Sequence, residues 1–323
     1  MTNRRSSLQL EVGQFSHPGR QRANNEDWLG KFQPVDAERL ERKGSLFIVA
    51  DGMGGHQSGE LASRFAVDQV IRIWADDLAR DTASSLGRAI ELANAALYAE
   101  AERKSGQMTK GGWGTTLVAA VVQGDELWIA NVGDSRAYLL RRERLRQLSK
   151  DHALFPDGGA DHALAGGGLG RHIITRAMGR KPAVEVDVFP PLKLRDGDRV
   201  LLCSDGLTAP VADGEIARFA ALHPPQKAAE ALVQAANEHG GPDNVSVILF
   251  EVSGERSSPG GNALQEFWLT LADSLFWHKI LGSIEHSLPG GQQGTQTYLF
   301  IALIVLVLLV LVGLGFILGM VLL

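Results

Sequence analysis

The sequence predicts an α+β fold built in stacked layers. Short apolar or alternating runs of strand length recur along residues 8–252, and several are joined by two-residue turn pairs. Two long helical stretches follow one another directly between early strands. Strands and helices therefore do not alternate one for one, as a purely parallel sheet would demand.

The elements can be taken in order. Residues 8–15 alternate apolar and polar, as a half-buried strand does. Residues 46–50 form a short apolar run ending in Asp51-Gly52, a buried strand followed by a loop. A long helix is expected over about 59–78, and a second, rich in Ala and Leu, over about 84–102. A strand meander follows at 115–122, 126–132 and 135–141, with turns at Gly124-Asp125 and Gly133-Asp134. Further strands are expected at 144–148, 184–189, 199–203 and 245–252, with a helix over 225–239. Residues 149–180, rich in Gly, Ala, Asp and His, lack periodicity and read as a surface flap.

With 323 residues the chain suits one large domain with appendages, or two modest ones. The net charge of −5 argues against nucleic acid as a partner and suits cation binding. Cys203 is the one cysteine, so intramolecular disulfides and thiolate metal clusters are excluded. The first residues lack the apolar core of a signal peptide, so the folded part is expected in the cytoplasm.

Composition divides the chain into a folded region at 1–252, a linker region at 253–297 and an apolar end at 298–323. Within the linker region, Leu264, Phe267, Trp268, Leu271 and Leu275 share one helical face. Residues 263–288 either lie in a membrane interface or pack on the main domain. Residues 298–323 carry no charge. At about 1.5 Å per residue they reach roughly 39 Å, enough to cross a hydrocarbon core of about 30 Å. They are expected to form a single-pass tail anchor.

Four acidic motifs carry the chemistry: Asn25-Glu26-Asp27, Asp51-Gly52-Met53-Gly54-Gly55, Ser204-Asp205-Gly206-Leu207 and Gly241-Pro242-Asp243-Asn244. An isolated Asp-Gly is usually only a turn. Four acidic motifs, three at strand edges, can instead bring carboxylates to one point. Hard cations such as Mg2+ and Mn2+ take oxygen ligands, and one or two carboxylates with water can suffice.

The ordered set Arg22-Ala-Asn-Asn-Glu26-Asp27, Val49-Ala-Asp51-Gly-Met-Gly-Gly-His56, Gly114-Thr-Thr-Leu-Val118, Asn131-Val-Gly-Asp134-Ser-Arg136, Leu202-Cys-Ser-Asp205-Gly-Leu207 and Asp243-Asn244 resembles the bacterial form of the metal-dependent protein phosphatases of type 2C (PPM). The resemblance spans about residues 8–252. It implies a four-layer α-β-β-α sandwich of two antiparallel sheets, with two Mn2+ or Mg2+ ions at one end. It assigns Asp51 as the bridging ligand, Gly52 as a carbonyl ligand, and Asp205 and Asp243 to the other ion. Glu26 and Asp27 would bind directly or through water, and Asp134 with Asp205 would hold a third ion. Water bridging two cations has a lowered pKa, which gives a nucleophile for phosphoserine or phosphothreonine near neutral pH. Arg22 would grip two phosphate oxygens with its planar fork. Phosphoproteins are the implied substrates and a cognate Ser/Thr kinase the implied partner. A tether would raise effective concentration at the membrane.

Met53 occupies the place where eukaryotic relatives carry a histidine proposed as general acid, and Met53 cannot donate a proton. His56 either assists through water or is structural. In the flap, His152, Asp157, Asp161, His162 and His172 suit a metal site less well than a mobile substrate-selecting loop. Arg176 faces either substrate or solvent. A catalytically silent binding module and a phosphatase for small molecules remain the competing readings.

Overall fold

The computed structural model describes residues 8–54, 57–79, 81–104, 112–154 and 173–254. All lie within one compact unit, Met1–Arg256. The expected interfacial stretch at 263–288 and the apolar end at 298–323 lie outside the described residues. Among the described residues no helix is long and apolar enough to cross a membrane.

The elements are β1 (Gln9–His17), β2 (Asp27–Phe32), α1 (Ala37–Lys43), β3 (Ser45–Met53), α2 (Gln57–Asp76), α3 (Thr82–Lys104), β4 (Gly114–Thr115), β5 (Leu117–Gln123), β6 (Glu126–Val132), β7 (Arg136–Arg141), β8 (Arg144–Gln147), β9 (Asp187–Val188), β10 (Leu192–Lys193), β11 (Arg199–Cys203), α4 (Asp205–Thr208), α5 (Asp213–Leu222), α6 (Pro225–Glu238) and β12 (Val245–Ser253). They form two sheets, one in the order β1-β12-β11-β7-β8, the other β10-β6-β5-β3-β2 with β4 and β9 attached at β3 and β6. Every named strand pair is antiparallel.

Period-two side-chain alternation makes these sheets into layers. On β3, Leu46, Ile48 and Ala50 pack with Val67, Val70 and Trp74 of α2 and Ile90 and Leu97 of α3. Phe47 and Val49 on the same strand face the other sheet and meet Leu139, Val200, Ile248 and Phe250. Leu201, Val247 and Leu249 turn the opposite way and pack with Ile216, Leu232 and Val233 of α5 and α6. The result is the four-layer α-β-β-α sandwich. At its centre Phe47 stacks on Phe250 across the sheets, ring centroids 4.7 Å apart.

Strand β6 falls where the sequence places it, and α2, α3 and α6 match their expected ranges to within about two residues at each end. The expected strand at 115–122 is split into β4 and β5, and the one at 184–189 is reduced to β9. Strands β2 and β10 and helices α1, α4 and α5 go beyond the elements read from the sequence.

Candidate active site

Antiparallel pairing brings the acidic motifs to one end of the sandwich. Strand β3 ends at that edge and β2 begins there, so Asp27 stands directly opposite Asp51 in the register. Strand β11 runs out into Ser204 and Asp205 beside the start of β12, where Ser204 N–H donates to Ser246 O at 3.1 Å. Asp243 lies two residues before the start of β12. The β6–β7 turn supplies Asp134, and the β1–β2 loop supplies Arg22 and Glu26.

Hydrogen bonds fix each position. Asp51 N–H donates to Thr116 Oγ1 at 3.0 Å, and its carbonyl accepts from Thr115 Oγ1 at 2.9 Å. Thr116 in turn bonds Ser135 at 2.7 Å, next to Asp134. Asp27 Oδ2 accepts from Ser204 Oγ at 2.7 Å, joining the two sheets, while Asp27 Oδ1 is buried with no hydrogen-bond partner among the described residues. Arg22 Nη2 donates to Asp243 Oδ2 at 2.8 Å. The Arg22 guanidinium also feels the negative charges of Glu26 and Asp51.

Asn244 organises the loop. Its Oδ1 accepts from Glu26 N–H at 2.8 Å, and its Nδ2 donates to Asn24 O at 2.8 Å and Pro18 O at 2.9 Å. The sequence places Asn244 in a motif but gives it no task. Its partners lie more than 200 positions away, so local pattern carries no signal for them.

Two glycines are required by close approach. A methyl on Gly52 would overlap the carbonyl oxygen of Gly59, and a methyl on Gly59 would overlap the Glu26 carboxylate. The same Gly59 methyl would stand 2.9 Å from Gly52 O, so the Glu26 carboxylate and the Gly52 carbonyl gather over one bare Cα.

The electrostatics of the site favour a cation among the carboxylates. Burial pushes the Asp27 carboxyl up to about 7; the Ser204 and Ser246 hydroxyls pull it down, and Asp205 and Asp243 push it up. Asp51 is pushed well above the ordinary carboxylate range, first by desolvation and then by Asp27, Asp205, Asp134 and Asp243. Clustered carboxylates of this kind are stable in ionised form only with cations among them. Among the described residues no three or more His, Cys, Asp or Glu side chains form a ready-made metal cage. Hard divalent ions use few carboxylates and fill the remaining positions with carbonyls and water. The oxygen-only donor set and the orphaned Asp27 Oδ1 fit such ions.

The flap base is also fixed. His152 Nδ1 accepts from Gly133 N–H at 3.0 Å, which leaves the ring proton on Nε2, facing Asp187 Oδ2 at 3.1 Å. Arg176 donates to Asp187 Oδ1 at 2.6 Å and Glu185 Oε2 at 2.8 Å, so it serves the protein's own carboxylates. Asp157, Asp161, His162, His172 and His56 lie outside the described residues. Cys203 is buried in β11, its thiol pushed up to about 12 by desolvation, as a core residue.

A family model described as Protein phosphatase 2C matches residues 25–237. The serine/threonine phosphatase stp of Listeria innocua is 38% identical over 244 residues, covering 72% of this chain and 92% of that protein. The serine/threonine protein phosphatase PstP of Mycobacterium tuberculosis is 34% identical over 255 residues, covering 77% of this chain and 46% of that protein. A solved structure of the PstP catalytic domain in complex with two manganese ions is 33% identical with a TM-score of 0.62, covering 76% of this chain and all of that one.

Proposed function

This chain belongs to the protein phosphatase 2C family, and from that premise we propose that it removes phosphate from phosphoserine and phosphothreonine on proteins, using two Mn2+ or Mg2+ ions. The observation that carries this reading is the register pairing of Asp27 with Asp51, with Asp134, Asp205 and Asp243 repelling Asp51 from the surrounding loops.

Asp51, the Gly52 carbonyl, Asp205 and Asp243 would hold the two ions, with Glu26 and Asp27 in support and Asp134 beside Asp205 for a third. When bound, the ions supply Lewis acidity and lower the pKa of water to give a nucleophile near neutral pH. Arg22 orients the substrate phosphate with its planar fork and offsets charge that grows on the oxygens. Asp243 aims that guanidinium, and Asn244 holds the loop from which it extends. Met53 has no proton to give, so the leaving oxygen is not protonated from that position.

The setting extends the proposal. Residues 298–323 act as a membrane anchor, supported by an uncharged length of roughly 39 Å. The catalytic domain works in the cytoplasm, opposing a Ser/Thr kinase at the same membrane.

The test is phosphate release from a phosphothreonine peptide by the full chain in detergent. Turnover should require added Mn2+, stop with chelator and return when metal is restored. Metal-independent turnover would overturn the reading.

A further inference from the structure

A closed ring of hydrogen bonds clamps Asp27 from both ends, and it runs through Ser16, which no acidic motif contains. Asp27 N–H donates to Asn25 Oδ1 at 3.2 Å. Asn25 Nδ2 donates to Ser16 Oγ at 2.7 Å. Ser16 Oγ and Ser246 Oγ lie 2.7 Å apart, opposite one another in the register of β1 and β12. Ser246 N–H donates to Ser204 Oγ at 3.0 Å, and the Ser204 hydroxyl donates back to Asp27 Oδ2 at 2.7 Å. The circuit leaves from the backbone of Asp27 and returns to its carboxylate.

The donors and acceptors around the ring are ordered. A backbone N–H can only donate, so the amide oxygen of Asn25 faces Asp27 and its NH2 faces Ser16. The Ser204 oxygen receives the Ser246 N–H, and its proton goes to the carboxylate. Ser204 and Ser246 are fully buried and Asp27 is nearly so. Linked hydrogen bonds in such a setting strengthen one another. The Ser246 hydroxyl also favours the ionised form of Asp27. Ser16 is part-buried and stands at the far side of the ring from the carboxylate.

The ring holds Asp27 by its N–H and by Oδ2, and Oδ1 is the buried oxygen with no hydrogen-bond partner among the described residues. A carboxylate held in this way cannot swivel, so Oδ1 keeps one direction. Groups that orient a metal's ligands carry about 10–100-fold of its affinity. We propose that Ser16 is a positioning residue for the metal site: through Asn25, Ser246 and Ser204 it fixes the Asp27 carboxylate so that Oδ1 serves a divalent ion or that ion's water. This rests on the phosphatase reading and deepens it.

The test uses the full chain in detergent. Mn2+ binding is read from the electron paramagnetic resonance signal of the free ion, beside phosphate release from a phosphothreonine peptide and thermal unfolding without metal. Ser16→Ala should weaken Mn2+ binding about tenfold, the lower end of that range because Ser16 acts through other residues. The Mn2+ concentration for half activity should rise by the same factor. Ser16→Thr keeps the hydroxyl and should stay within about twofold of the parent. Asn25→Ala breaks the same ring, so the double variant should bind no more weakly than the weaker single one. Where Ser16→Ala does not fold, Asn25→Ala takes its place and the same tenfold weakening decides. A folded Ser16→Ala that unfolds earlier but binds Mn2+ like the parent would overturn the proposal, since that marks a structural residue. So would an equal loss in Ser16→Thr, or losses that multiply in the double variant. A metal-loaded parent that releases no phosphate would overturn the phosphatase reading itself, and this inference with it.

Discussion

Arg22 and Asp243 form an ion pair at 2.8 Å, although 221 positions separate them in the chain. The pair closes the gap between the β1–β2 loop and the start of β12, and it leaves the rest of the guanidinium fork exposed to an incoming phosphate. Arg22→Ala should lower kcat/KM for a phosphopeptide roughly 10²–10³-fold, the scale of losing one preorganised transition-state donor. Arg22→Lys should recover only part of that, because a point charge cannot serve Asp243 and two phosphate oxygens together. Steady-state kinetics decide it; full activity in the lysine variant would show that the fork geometry is irrelevant.

Asn244→Ala removes three hydrogen bonds that hold the loop carrying Arg22 and Glu26. The expected cost is about 2 kcal/mol of stability, read as a lower denaturation midpoint. The Mn2+ concentration for half activity should rise as well. A stability loss with unchanged metal response would reduce Asn244 to a structural clamp.

Gly52 and Gly59 should respond differently to alanine. At Gly52 the methyl would meet backbone, which cannot swing away, so Gly52→Ala should destabilise the fold. At Gly59 the severe overlap is with the end of the Glu26 side chain, which can move, and the Gly52 carbonyl at 2.9 Å need give only slightly. Gly59→Ala should therefore cost less stability than Gly52→Ala, with metal affinity weakened by about 10–100-fold, the usual loss when supporting groups around a metal are disturbed. Metal titration beside thermal unfolding separates the two; equal behaviour would contradict the crowding argument.

Much of the architecture is legible in the sequence because its signals are local. Strand β6 is bounded by Gly124-Asp125 and Gly133-Asp134, and α3 is a continuous run rich in Ala and Leu. The carboxylates at strand ends converge because the sheets are antiparallel, which the turn pairs already suggest. What escapes notice depends on distant partners. Strand β2 reads as mixed charge and glycine, and it becomes a strand by pairing with β3. Helix α1 is almost wholly polar. It is capped by Asp36 and rests on the fold through Lys43, whose ammonium lies 4.0 Å from the centre of the Trp74 ring. Arg176 belongs to Asp187 and Glu185 rather than to the substrate or solvent expected from the sequence, and no local pattern reveals these partners.

Removing residues 298–323 should release the protein from membranes into the soluble fraction. Fractionation of cells expressing the two forms reads this directly. Retention of the truncated protein would shift the anchoring role to the Trp-bearing stretch 263–288.

The most direct test of the account is Asp51→Asn in the full chain, with Mn2+ binding and phosphopeptide hydrolysis measured on the same folded sample. The amide keeps the size of the side chain but removes the charge at the centre of the cluster. The account predicts weakened metal binding and a fall in turnover of at least about 10³-fold, several kcal/mol of lost transition-state stabilisation. The denaturation midpoint should be no lower than the parent's without metal, since the lost charge is one its neighbours repel. Parent-like turnover in the folded variant would contradict the central role of Asp51 and the two-ion chemistry built on it.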